Sequence, residues 1–281
     1  KFGVKKPSLR DEIYNKILSG YETDGALDTT THFTKFFRYF KECKHEDVAE
    51  YINLIRDKKF LRCKKAGDPK VYRHIGKYLY LPTPELKDWF ETKPDTQFLL
   101  LDEYREMGGQ GDIERLTEFL QRLGVANVPR VVEADSDNKI DGLTELLSKI
   151  DAKRSVILWK ILAGSWSHYQ SSMRVLTSRY GPRGGFKGTY ECDSSANKDL
   201  HTREWILNRS GDLGSASSVT IQSLSAQYDT AGANALITFL GIHDEADDTS
   251  HLSEEEARKI RLADEIAQSG LSEDEIRAAI A

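Results

Sequence analysis

Cysteine is scarce in this chain of 281 residues: Cys43, Cys63 and Cys192 are odd in number, far apart and never arranged as a CxxC pair. Neither a disulfide framework nor a cysteine-based zinc site follows from such spacing, and a reducing, cytoplasmic setting is expected. Long apolar runs are missing as well. Nothing approaches the roughly eighteen residues of a membrane helix, and no basic-then-apolar leader opens the chain. None of the seven histidines stands in a His-x-x-x-His or His-Glu-x-x-His arrangement, so they read as solvated or core side chains. A Gly-x-Ser-x-Gly elbow and a Gly-x-x-x-x-Gly-Lys-Ser/Thr loop are both absent, which removes the usual sequence support for a serine hydrolase and for a P-loop. Paired carboxylates such as Asp11 with Glu12 and Asp47 with Glu50 fall in helix first turns, where the macrodipole accounts for them. No catalytic residue, metal ligand or cofactor site is therefore expected.

What is present is a sizeable apolar fraction, 39%, beside 30% charged residues, enough to bury the core of two domains or of two related modules. Charge is unevenly placed: residues 1–70 carry 16 Lys and Arg against 11 Asp and Glu, whereas residues 242–281 carry 4 against 12. Because the chain starts at Lys1 rather than Met and stops at "RAAIA", it is expected to be an internal piece of a longer protein.

Periodicity predicts mainly helix with small sheets. Ser8 is placed to cap a helix with Leu9, Ile13 and Ile17 on one face. Phe33, Phe36, Phe37 and Phe40 recur at i, i+3, i+4 and i+7, and Val48, Tyr51, Ile52 and Ile55 repeat the pattern, so two adjacent helices should pack through these faces. Short apolar runs on either side of "AGDP" predict a hairpin, "KYLYLP" a further strand, "TPELKDWFE" a short helix, and "QFLLLDEY" a buried stretch. "GDIERLTEFLQRLGV" predicts a helix capped by Asp112, with Ile113, Leu116, Leu120 and Leu123 inward and Gly124 as left-handed terminator. The Gly-Gly-Gln of "MGGQGD" reads as a lead-in to that helix.

A similar order follows with different spacings. "DGLTELLSKI" and "RSVILWKILAGSWSHY" read as helices, a loop rich in Gly, Ser and charge follows, and "WIL" with "VTIQSL" reads as a hairpin turned at Gly211 and Gly214. "DTAGANALITFLGI" is a closing helix ended by Gly241. The expected fold is α+β, mainly helical: two divergent copies of a helix-pair, β-hairpin and closing-helix unit. The first copy would occupy residues 1–130, a polar linker 131–140 and the second copy 141–242. Residues 243–281 would form an acidic linker and a helical hairpin with capping boxes at Ser253/Glu256 and Ser272/Glu275.

"KYLYLP", "LTEFLQRLGV" and the opening "FGVKKPSLRDEIYNKIL" together resemble the middle region of large bacterial sacsin-like proteins, over roughly residues 1–130 and more faintly over the second copy. Such proteins carry a Hsp90-like (GHKL) ATPase domain near the N-terminus, followed by stretches in which hairpins ending in Tyr-Leu-Pro lead to helices ending in Leu-Gly-Val. Where the family has an Asp-Gly turn before an aromatic strand, this chain has "AGDPKVYRHI". The helix with paired Glu and Asn and the Gly-rich lid of the ATP site have no counterpart, and "GDLGSAS" lies between strand-like runs. No family catalytic residue is carried over.

The resemblance implies a non-enzymatic coupling or protein-interaction module of a larger ATP-driven protein, chaperone-like or phage-defence-like, whose partners are other domains of that protein or a separate protein. The alternative is a nucleic-acid-binding segment. It would use the basic N-terminal helices and the loop "RYGPRGGFKG", where Arg179, Arg183 and Lys187 offer charge, Tyr180 and Phe186 offer stacking surfaces, and the glycines allow close backbone approach.

Overall fold

Residues 8–22, 27–108, 112–134, 137–180 and 186–244 are described in the computed structural model of the chain. Their fold is α+β and mainly helical, with small antiparallel sheets. The chain divides into two compact units, Lys1–Asp199 and Leu200–Ala281.

The first unit begins with α1 (Leu9–Glu12), closed by a reciprocal capping box between Ser8 and Asp11. A π-helical turn, Ile13–Ile17, carries it into α2 (Leu18–Gly20) and buries Ile13 and Ile17. In α3 (Thr29–Glu42) Asp28 accepts from the Thr31 amide as N-cap, and all four phenylalanines of the expected stripe are buried. Against it lies α4 (Val48–Ile55), whose Tyr51 hydroxyl donates to the Phe36 carbonyl at 2.9 Å. The core is unusually aromatic: ring centroids of Phe33 and Tyr104 are 4.2 Å apart, those of Phe36 and Phe60 4.9 Å, and those of Phe40 and Phe119 5.0 Å. Each such pair adds about 0.5–1.5 kcal/mol beyond its buried area.

Strand β1 (Leu61–Lys65) pairs antiparallel with β2 (Tyr72–His74), as the "AGDP" turn predicts. "KYLYLP" differs from its reading. Gly76–Tyr78 is a 3-10 turn, and only Tyr80 bridges, in parallel, to Phe98 and Ala126. The turn is forced by a close crossing, because a Cβ on Gly76 would stand 2.1 Å from the Leu123 carbonyl oxygen. After α5 (Pro84–Trp89), β3 (Gln97–Leu99) completes the sheet in the order β2-β1-β3. Helices α6 (Leu101–Gly108) and α7 (Ile113–Arg122) follow. Asp112 makes no side-chain cap on α7, since its carboxylate holds Lys41 at 2.7 Å instead. Ile113 is exposed and Phe119 takes its expected place in the core.

The expected linker 131–140 is a correction. Strands β4 (Val131–Ala134) and β5 (Asp137–Ile140) pair there in register from Val131–Ile140 to Ala134–Asp137, because "VVEA" and "DNKI" satisfy each other's backbone. Gly142, at φ +78°, turns the chain into α8 (Leu143–Ser148). Helix α9 (Ala152–Gly164), capped by Asp151, lies along α5 through the ion pairs Lys153–Asp88 and Lys160–Glu85, and Arg154 pairs with Glu91 in the 3-10 turn that follows α5. It leads through α10 (Trp166–Tyr169) into β6 (Arg174–Tyr180) and β7 (Phe186–Asp193), an antiparallel ribbon where a loop was expected. Val175, Leu176 and Thr177 opposite Tyr190, Glu191 and Cys192 have the alternation a ribbon needs, which the surrounding Gly, Ser and charge conceal. The division between units falls within α11 (Ser195–Thr202), not at residues 131–140.

In the second unit buried Trp205 donates through Nε1 to the Leu200 carbonyl at 2.8 Å. Strands β8 (Ile206–Leu207) and β9 (Leu213–Gly214) form the hairpin around Gly211. "VTIQSL" is not its second strand. Thr220 and Ser223 close a turn on each other, and only Leu224 bridges, to Asn208. In the stretch expected to be the second copy, the β6–β7 ribbon and α11 stand between the helices α8 and α9 and the β8–β9 hairpin, and the division between units falls within that stretch. The expected C-terminal helical hairpin and "GGQG" lie largely or wholly outside the described residues.

The two similar helix endings are alike in detail. At α7 the Gly124 amide bonds to the Gln121 carbonyl at 2.8 Å and the Val125 amide to Leu120 at 3.0 Å. At α12 (Asn234–Leu240) Gly241 bonds to Thr238 and Ile242 to Ile237, both at 3.2 Å. Both are Schellman endings with a glycine at positive φ and a buried aliphatic residue after it. Their surroundings differ, since a Cβ at Gly124 would press on the Lys77 backbone at 3.2 Å whereas one at Gly241 meets only His243 at 3.9 Å. Gly241→Ala is expected to cost about 1 kcal/mol, Gly124→Ala more, and Gly76→Ala most of the three. Urea unfolding of the three variants checks the order, and a Gly76→Ala protein as stable as the parent would contradict the close crossing.

Candidate functional site

The polar side chains that converge most densely in the first unit surround Arg130, at the foot of β4. Its Nη2 donates to three carbonyls, those of Leu79 at 2.5 Å, Gly124 at 2.9 Å and Gly76 at 3.4 Å. Its guanidinium lies 4.3 Å from the Tyr80 ring centroid, a cation–π geometry that also fixes the tyrosine. The Tyr80 hydroxyl donates to Asp141 Oδ2 at 2.6 Å and receives the Arg130 amide at 3.3 Å. Asp141 in turn pairs with Lys93, accepts from Trp89 Nε1 on its carbonyl at 2.9 Å, and gives its own amide to the Arg130 carbonyl at 2.8 Å. Burial, then the Asp141 carboxylate, holds the Tyr80 phenol well above its ordinary pKa, so it stays a donor. The hydroxyl and carboxylate are fully engaged in holding backbone and one another. They act as a clamp.

Beside the clamp opens a cavity of about 630 Å³. Lys93, Thr96, Arg130 and Asp141 line it together with Lys77 and Tyr78. Two of the exposed large apolar side chains, Tyr78 and Val132, also line it. Thr96 is 6% exposed, and its hydroxyl has no hydrogen-bond partner. His74 accepts the Ile75 amide on Nδ1 at 3.0 Å, and burial lowers its pKa. The ring is thus neutral at pH 7 with its hydrogen on Nε2. A second cavity of about 360 Å³ beside β3 is lined mainly by Pro82, Phe98, Leu99 and Leu101, with Lys64 and Lys87 at hand.

Of the residues singled out in "RYGPRGGFKG", Arg179, Tyr180, Phe186 and Lys187 belong to the β6–β7 ribbon. Arg179 stands opposite Gly188 and Tyr180 opposite Phe186, with an irregularity of register between Arg179 and Tyr180. Lys187 lies on β7, and Arg183 falls outside the described residues. The register places Arg174, Leu176 and Ser178 on one face with Thr189, Glu191 and Asp193, and every one of them is exposed. Leu176 is 66% and Phe186 63% exposed. The basic N-terminal residues show a different arrangement: Lys35, Arg38, Lys41, Arg62 and Lys65 pair with Glu12, Glu42, Asp112, Glu103 and Asp95.

Among the described residues no group of three or more His, Cys, Asp or Glu is placed to hold a metal ion, and no helix is long and apolar enough to cross a membrane. The cysteines are free, and burial pushes the Cys63 thiol up to about 11. Sequence reading missed the Arg130 clamp altogether. Its members are scattered from Tyr80 to Asp141, and no motif links them. The chain matches no protein-family model, no curated protein and no solved structure.

Removing the Asp141 carboxylate leaves the half-buried Lys93 ammonium and the hydrogen of the buried Tyr80 hydroxyl without their acceptor, so Asp141→Ala is expected to destabilise by about 2–3 kcal/mol and Tyr80→Phe by about 1 kcal/mol. Chemical unfolding measures both, and equal, negligible losses would contradict the clamp. Because burial in the folded state depresses the His74 pKa below the ordinary histidine value of 6.5, the unfolded chain binds the proton more readily. Stability from this group is therefore present above that value and falls as pH drops through it. Unfolding curves from pH 7.5 to 5.5 should show a slope that His74→Gln reduces.

Proposed function

We propose that the chain is a non-enzymatic coupling and protein-interaction module of a larger ATP-driven protein of the sacsin-like kind, chaperone-like or phage-defence-like, acting in the cytoplasm. The observation that carries this reading is the β6–β7 ribbon. A two-stranded ribbon that exposes Leu176 on one face and Tyr190 on the other, with exposed Phe186 at its end, presents the aromatic and aliphatic side chains from which interface centres are built. Residues 174–193 carry Arg174, Arg179, Arg183 and Lys187 against Glu191 and Asp193, so the occupant is a protein surface that joins an apolar patch to carboxylates. That surface belongs to another domain of the same protein or to a separate partner.

A second reading, nucleic-acid binding, is favoured by one observation. The strand register brings Arg179, Tyr180, Phe186 and Lys187 to the same end of a ribbon, an element narrow enough for a major groove. With five basic residues of the N-terminal region ion-paired, this reading rests on the ribbon end.

A photo-reactive side chain placed at Leu176, with Leu54 as an exposed control, separates the readings in cells that make the protein. A discrete protein adduct at Leu176, lost when Arg174 on the same face is replaced by Glu, is the expected result. Adducts to nucleic acid instead, with a salt dependence that flattens in Arg179→Ala/Lys187→Ala, support the second reading. Labelling no stronger than at Leu54 contradicts both.

A further inference from the structure

We infer that the cavity beside the Arg130 clamp is a binding site for a phosphate monoester carried on a planar ring, the chemistry of a nucleoside monophosphate. The inference is independent of the ribbon and of the interaction reading.

Charge comes first. Of the carboxylates that line the cavity, Asp95 is held by Lys65 at 3.0 Å and Asp141 by Lys93 and the Tyr80 hydroxyl. Lys77 and Arg130 then remain as cations facing the same space with no carboxylate on them. Arg130 spends Nη2 on backbone carbonyls, which leaves its Nη1 and Nε hydrogens to offer, in a fork held rigid by the Tyr80 ring. An anion entering here meets a pre-oriented donor. Water meets the same donors, so charge alone does not choose the ligand.

Two further observations narrow it. Thr96 lines the cavity at 6% exposure and its hydroxyl has no hydrogen-bond partner, so a ligand oxygen that reaches it satisfies a buried polar group. Neutral His74, with its hydrogen on Nε2, adds a donor to the lining. Donors of this kind suit a phosphate with several acceptor oxygens. The mouth is different in character: Tyr78 is 54% exposed, stands edge-on to His74 at 4.9 Å, and shares the lining with exposed Val132. Lys77 Nζ lies 5.1 Å from the Tyr78 ring centroid, and the rest of this half-exposed ring, beside a branched aliphatic side chain, is a seat for a flat ring. The cavity volume, about 630 Å³, is in the range of small-molecule sites.

Titration calorimetry of the whole chain at low ionic strength, with AMP, inorganic phosphate and adenosine as separate probes, tests the assignment. AMP is expected to bind one to one, with phosphate and adenosine each at least about tenfold weaker, the loss equivalent to one charge-assisted hydrogen bond or one stacking contact. Lys77 and Tyr78 are exposed and outside the core, so their variants test binding without testing folding. Lys77→Met should weaken AMP and phosphate alike by about tenfold, whereas Tyr78→Ser should weaken AMP and leave phosphate unchanged. Lys87→Met, in the second cavity, serves as the charge control and should change nothing. No heat with AMP, equal affinity for AMP and adenosine, or equal losses from Lys77→Met and Lys87→Met would each overturn the assignment.

Discussion

One nitrogen atom organises the first unit. Arg130 Nη2 is shared by carbonyls at Gly76, Leu79 and Gly124, and these come from two segments that pass so closely that no side chain fits at Gly76. A crossing of two backbones turns carbonyls toward each other, and carbonyls that share no donor repel and stay desolvated. The guanidinium resolves this by placing a delocalised cation where the three oxygens meet. Everything nearby then follows from its position: Tyr80 lies beneath it, Asp141 is fixed by Tyr80 and the Arg130 carbonyl, and Lys93 and Trp89 close on Asp141.

The clamp also explains why a hairpin replaces the expected linker. Once Arg130 and Asp141 are tied to each other, the residues between them must leave and return at one place, which is the geometry of β4 and β5. The 3-10 turn at Gly76–Tyr78 and the end of α7 are held on the other side. The cavity is left between these walls, lined by Lys77, Arg130 and the unsatisfied Thr96. Preorganisation of this kind lowers the ordering cost of binding. The ribbon stands in contrast, for its strands are joined by their own ladder and its outer face is solvated.

Helices were legible where one physical signal dominated. Phe33, Phe36, Phe37 and Phe40 are core because no other arrangement buries four rings at that spacing, and Gly124 and Gly241 terminate helices because only glycine takes the left-handed conformation cheaply. Ile113 misled because the apolar stripe of α7 continues one position around to Phe119. Short strands were legible at β1 and β2 but not at β6 and β7, where Arg174, Ser178 and Arg179 mask the alternation of a ribbon solvated on one face. "VTIQSL" has the β-branched composition of a strand, yet Thr220 and Ser223 bond their own turn, a local competition that composition does not reveal. The cavity was invisible in the sequence. Arg130, Tyr80 and Asp141 are ordinary residues in ordinary contexts, and their meaning comes from a crossing made by tertiary packing.

Native-state hydrogen exchange of Arg130→Met tests that crossing most directly. The Leu81 amide bonds to Ala126, the Ala126 amide to Leu79 and the Val125 amide to Leu120, so all three report on the two segments that the guanidinium joins. If Arg130 organises the crossing, these amides lose protection together by at least about tenfold, the equivalent of 1.4 kcal/mol, while Ile237 and Ile242 in the second unit keep theirs. Unchanged protection at Leu81, Val125 and Ala126, or a uniform loss in both units, would contradict the account.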